Sequence, residues 1–185
     1  MSTVLIIILV VVALLVIYLI TCYNSFVKLN NKIKEAYATM DVYLKKRYDL
    51  IPNLVETVKG YAKHEQGTLE KVIQARNMAM NAGNVDERVE GENILSGTLK
   101  SLFALSESYP DLKANENFVS LQSDLNRMEE EIASSRKYYN AIVNTFNTKT
   151  EVFPSNLIAN MFGFSVKPLF EVENENERQN VKVEF

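Results

Sequence analysis

Residues 4–34 read VLIIILVVVALLVIYLITCYNSFVKLNNKIK, and the fold turns on how this stretch is taken. Val4 to Ile20 is apolar without interruption, Thr21, Cys22 and Tyr23 extend it uncharged, and the first charged side chain is Lys28. About twenty residues at 1.5 Å each cover roughly 30 Å, the thickness of a bilayer's hydrocarbon core. A core helix of a water-soluble domain keeps a polar face, and this run has none. It predicts a transmembrane anchor over residues 1–23. A cleaved secretory signal needs a basic stretch ahead of its apolar one, which Met1-Ser2-Thr3 does not supply. Leu19-Ile20-Thr21-Cys22 loosely resembles the box before a lipid-modified cysteine. An outward-facing lipoprotein held through Cys22 is therefore the alternative, although Thr21 and the missing basic stretch count against it.

Working outward, the apolar period continues past the anchor. Alternate steps of four and three from Leu5 reach Leu9, Val12, Val16, Leu19, Tyr23, Phe26, Asn30, Ile33, Tyr37, Met40, Leu44, Arg47, Ile51, Leu54, Val58 and Tyr61. Only Asn30 and Arg47 are polar in that row, which has the 3.5-residue repeat of helices packed as in a coiled coil. No glycine or proline precedes Pro52. One helix is expected from about residue 4 to 62, some 85 Å long at 1.5 Å per residue. Pro52 should kink it without ending it, since the stripe keeps its register while the Tyr48 carbonyl loses its helical donor. No basic side chain stands before the run, whereas Lys28, Lys32, Lys34, Lys45, Lys46 and Arg47 follow it. By the positive-inside rule the anchor crosses the membrane once, with the remainder in the cytoplasm.

Three further helices are expected. Residues 65–82 carry Leu69, Val72, Ile73, Arg76, Ala79 and Met80 at helical spacing, and Ala82-Gly83-Asn84 reads as a stop with glycine in a left-handed cap. Residues 85–108 carry Ile94, Leu95, Leu99, Leu102, Phe103 and Leu105. In residues 112–149, Phe118, Leu121, Leu125, Met128, Ile132, Ser135, Tyr139, Ile142 and Phe146 stand three and four apart, with Ser135 the one polar member. Short connections make neighbours antiparallel. The expected class is all-α, an N-terminal transmembrane helix continuous with an up-down-up-down four-helix bundle. The bundle takes residues 24–153, an apolar flap 154–170 and an acidic tail 171–185.

Composition narrows the chemistry. With 47% apolar residues and a net charge of −3, the 185-residue chain is neither disordered nor a basic nucleic-acid module. One cysteine and one histidine exclude an internal disulfide, a structural zinc cluster and any histidine pair. His64-Glu65 is no half of a zinc motif, since Thr68 stands where a second histidine is needed. No phosphate loop, nucleophile elbow or CxxC occurs, so neither a cofactor nor an enzymatic activity is expected.

Three blocks are recognisable together: Lys46-Arg47-Tyr48-Asp49-Leu50-Ile51-Pro52-Asn53-Leu54-Val55-Glu56 continuing to His64-Glu65, Tyr109-Pro110-Asp111-Leu112-Lys113-Ala114-Asn115, and Arg136-Lys137-Tyr138-Tyr139-Asn140 with Phe153-Pro154 and Gly163-Phe164. From about residue 23 onward the chain resembles the LemA family of bacterial membrane proteins. The resemblance implies an N-terminal anchor and an antiparallel helical bundle, and it supplies no catalytic activity. Some relatives are lipoproteins, which keeps the Cys22 alternative open.

Candidate sites concern association. Asn30, Arg47 and Ser135 are the polar members of the seams, suited to fixing register. Arg47 either pairs with an acid of the fourth helix, such as Glu130 or Glu131, or snorkels along the bundle edge. Asp49, Asn53 and Glu56 share one face around Pro52, a candidate docking face. Leu157, Met161, Phe162, Phe164 and Phe170 are too apolar for a free tail; they either close the bundle end or sit in the lipid interface. The expected function is a membrane-anchored scaffold acting by self-association and partner docking, or else an adaptor of a membrane enzyme such as a protease or sensor. Its expected partners are membrane lipid, further copies of itself and an unidentified membrane protein, with no nucleic acid.

Overall fold

A computed structural model describes residues 2–171. Every regular element among the described residues is a helix: α1 (Ser2–Tyr61), α2 (Gln66–Met80), α3 (Val85–Ser106), α4 (Pro110–Lys113), α5 (Glu116–Glu151) and α6 (Ser155–Phe162). The all-α class with one long apolar N-terminal helix is as expected. The expected fourth helix is divided, because Asn115 interrupts it as a cap: its Oδ1 accepts from the Phe118 N–H at 3.0 Å. Gly83 takes no left-handed turn, since among the described residues Gly163 is the one glycine with positive φ. The signal at residues 82–84 opens the next helix instead: Asn84 Oδ1 accepts from the Glu87 N–H and Glu87 Oε2 accepts from the Gly83 N–H, both at 2.8 Å. Of the expected tail, residues 172–185 lie outside the described residues.

The chain divides into two compact units, Met1–Met40 with Ser134–Leu169, and Asp41–Ala133 with the chain from Phe170. In the first unit α1 and α5 run antiparallel: Phe26 meets Phe146 at 5.7 Å between ring centroids, and Tyr37 meets Tyr139 at 5.8 Å. Phe26, Ile33 and Met40 of the seam are buried there, while the row from Leu5 to Val16 is exposed.

In the second unit Leu44, Arg47, Ile51, Leu54 and Val58 continue the buried seam. α1 and α5 are again antiparallel, tied by Arg47 to Glu129 and by Asn115 Nδ2 donating to the Tyr61 hydroxyl at 2.9 Å. α3 runs parallel to α1, with Arg88 paired to Asp41 and Arg47 to Glu92. α2 and α3 form a helical hairpin with an unusually close crossing, since a Cβ on Gly91 would stand 2.8 Å from the Ala79 Cα. These directions are those an up-down-up-down arrangement requires.

Candidate functional site

In the second unit the site begins with Pro52. A proline inside a helix offers no N–H to the carbonyl four residues back, and in α1 that carbonyl belongs to Tyr48. Arg76 of α2 fills the gap: its Nε donates to the Tyr48 oxygen at 2.7 Å. The polar residue that interrupts the apolar face of α2 is thus the partner of the interruption in α1.

Arg47, next to Tyr48, is 1% exposed and is the largest fully buried side chain among the described residues. Its guanidinium pairs with Glu92 of α3 and Glu129 of α5, and Nη1 also donates to Ser96 Oγ at 3.3 Å. The Tyr48 hydroxyl donates to Glu92 as well. The expected pair with the fourth helix therefore involves Glu129, one and two positions before the acids named from the sequence. Burial excludes the snorkelling alternative. Glu92 was missed, although a signal existed: it stands three and seven residues before Leu95 and Leu99, a charge on the apolar face of α3 just as Arg47 is on α1. A charge this deep must be paired and hydrogen-bonded. The cluster joins α1, α3 and α5 through the one guanidinium.

The other two polar members of the expected seams are placed differently. Asn30 is half-buried and Ser135 buried, both in the first unit. Asp49, Asn53 and Glu56 are all exposed on α1, and Glu56 accepts from Lys59 Nζ at 3.3 Å. Arg127 stands 3.5 Å from Asp124, three residues back. Tyr109 donates to Glu65 at 3.1 Å, tying the turn after α3 to the start of α2, and desolvation followed by that acidic partner raises its pKa.

In the first unit the segment after α5 folds back onto α1. α6 ends at Gly163, whose φ of 74° turns the chain so that the Phe164 N–H reaches the Ala159 carbonyl at 2.9 Å. Phe164 then stacks on Phe26 at 4.8 Å and meets Phe146 edge-on at 6.3 Å. Asn147 holds the next residues by both ends of its amide: Oδ1 accepts from the Lys167 N–H at 2.8 Å and Nδ2 donates to the Lys167 carbonyl at 2.9 Å. The Tyr139 hydroxyl donates to the Pro168 carbonyl at 3.2 Å; burial first, then neighbouring Tyr37, raises its pKa. Of the five candidate interfacial residues, Phe164 and Phe170 are therefore packed within the protein, with Phe170 1% exposed. Leu157, Met161 and Phe162 are exposed, and the Phe162 ring lies 4.7 Å from that of Tyr23.

An open groove of about 670 Å³ lies in this unit, with Tyr18, Thr21, Ser25, Thr148, Lys149 and Ser155 among its walls. Lys149 donates to the Ser25 hydroxyl and sits 5.2 Å from the centre of the Phe26 ring. Cys22, the lipidation alternative, is a buried residue within α1.

Comparison with known proteins follows the same lines. Protein LemA of Metamycoplasma hominis is 28% identical over 160 residues, covering 85% of this chain and 72% of that protein. Magnetosome protein MamQ 2 of Paramagnetospirillum magneticum is 25% identical over 175 residues, 80% of this chain and 64% of its own. Magnetosome protein MamQ of Magnetospirillum gryphiswaldense is 23% identical over 168 residues, 77% and 62% respectively. The chain thus spans under two thirds of the length of these MamQ proteins. The model of the LemA family matches residues 36–185, taking in the Arg47 cluster and the Phe153 to Phe164 segment, and the chain belongs to the LemA family.

Proposed function

We propose that this protein is a membrane-anchored structural component that acts by self-association and by docking partners at the membrane surface. The observation that carries the reading is the change of surroundings along one helix. α1 presents Val4–Ile20 outward with Leu19 alone half-buried, then buries the same seam from Phe26 onward. Exposed apolar surface on every side of a helix suits lipid and other helices, not water. Within the chain the buried charges are spent on holding helices together. Partner docking falls to the exposed Asp49, Asn53 and Glu56 around Pro52, and the placing of the domain in the cytoplasm of a bacterial cell rests on Lys28, Lys32 and Lys34.

The test is the mass of the full chain extracted in mild detergent. A homogeneous assembly of several copies is the expected result. A monomer that co-purifies in fixed ratio with another membrane protein would replace this reading with that of an adaptor.

A further inference from the structure

The corner between α5 and α6 carries an exposed apolar surface. A surface helix ordinarily has one apolar face, which it turns inward. α6 has two: Ile158 and Ala159 are buried, while Leu157 and Met161 are 57% and 67% exposed on the other side. Phe153 just before it is 79% exposed and Val152 48%. From Val152 to Val166 there is no charged side chain, the longest such stretch after the anchor itself.

The position of this surface along α1 bears on what covers it. Val152 and Ser155 share a groove with Tyr18 and Thr21, inside the uncharged run of α1, and Phe162 rests on Tyr23 at the end of that run. The two uncharged stretches of the chain therefore lie side by side. Charges resume on both just beyond: Lys28 on α1, and Lys149 beside Ser25 on α5. Lys167 follows on the strap that Asn147 holds. Glu151 borders the corner and is exposed, which limits its depth to the headgroup and upper acyl region.

We infer that residues 152–162 insert into the lipid interface beside α1, so that the chain meets the bilayer at two adjacent places. The inference rests on the anchor reading of α1. With aromatic groups at the interface and lysines at headgroup level, the corner fixes the depth of the first unit and prevents it from rotating about the anchor.

The chain contains no tryptophan, so single tryptophans report without background. Leu15→Trp, Phe153→Trp, Met161→Trp and Tyr138→Trp, all at exposed sites of the first unit, are compared in the full chain reconstituted into vesicles of phosphatidylethanolamine and phosphatidylglycerol with lipids brominated at defined depths. Leu15→Trp should be quenched most by deep bromines. Phe153→Trp and Met161→Trp should be blue-shifted and lose most of their emission to shallow bromines, and Tyr138→Trp should lose none. Quenching at Leu15→Trp with none at Phe153→Trp or Met161→Trp overturns the corner's insertion and leaves the anchor standing. No quenching at Leu15→Trp overturns the anchor reading, and the inference that depends on it falls too. Equal quenching at Tyr138→Trp would mean that α5 lies flat on lipid, which also overturns the insertion of the corner alone.

Discussion

At the scale of single residues, two defects answer each other. Pro52 strips a donor from the Tyr48 carbonyl, and Arg76 restores one. Removing Arg76 with Arg76→Met should therefore cost about 1–3 kcal/mol, the penalty of a buried acceptor left unpaired. In a Pro52→Ala background, where a helical N–H returns, the same change should cost clearly less; equal losses in the two backgrounds, measured by denaturant unfolding, would contradict the pairing. Arg47→Met strands Glu92 in the interior and should cost about 3–5 kcal/mol. Adding Glu92→Gln should recover most of that loss, because the amide can still accept from Tyr48 while carrying no charge. Tyr139 gives a pH dependence. Its raised pKa means that the neutral phenol is favoured in the folded state, so its contribution is intact below the unfolded value of about 10 and is lost as the pH rises through the folded one. The unfolding temperature should fall above that pH, and Tyr139→Phe should flatten the fall.

At the scale of elements, the corner after α5 depends on one backbone conformation. Gly163 is left-handed, a state that costs a residue with a Cβ about 1–2 kcal/mol. Gly163→Ala should loosen the strap that follows, read as faster amide exchange at Lys167, whose N–H is held by Asn147, with little change at the Phe118 amide capped by Asn115 in the other unit. The helices themselves were legible because their apolar residues recur at three and four: the seam named from Leu5 is buried from Phe26 to Val58 apart from half-buried Asn30 and Tyr37. Asn115 is expected within a helix and Asn84 within a stop signal, yet each caps the helix that follows it, a role that geometry and not residue type decides. Glu92 and Gly91 escaped notice for a different reason. A charge or a missing Cβ on an apolar face gains its meaning from the facing helix, which a linear pattern does not contain. The division of the 154–170 segment into packed Phe164 and exposed Met161 depends likewise on the turn at Gly163.

At the scale of the whole molecule, the side of the membrane is the property most open to a direct check. Asn53→Cys in a Cys22→Ser background places a single thiol on the exposed face of α1. It should resist a membrane-impermeant maleimide in intact cells and react after the inner membrane is opened; labelling of intact cells would reverse the orientation. A last consequence comes from the ring of Phe26 against Phe146 and Phe164. Lys149 and Ser25, which meet beside it, are 124 residues apart in the chain. At bacterial synthesis speeds of 5–20 residues per second, the turns of α1 next to the anchor wait roughly 6–25 s for their partners to leave the ribosome. Throughout that interval the inner side of those turns has no partner from its own chain, and synthesis that stops before Phe164 is decoded leaves the Phe26 ring without the face that stacks on it.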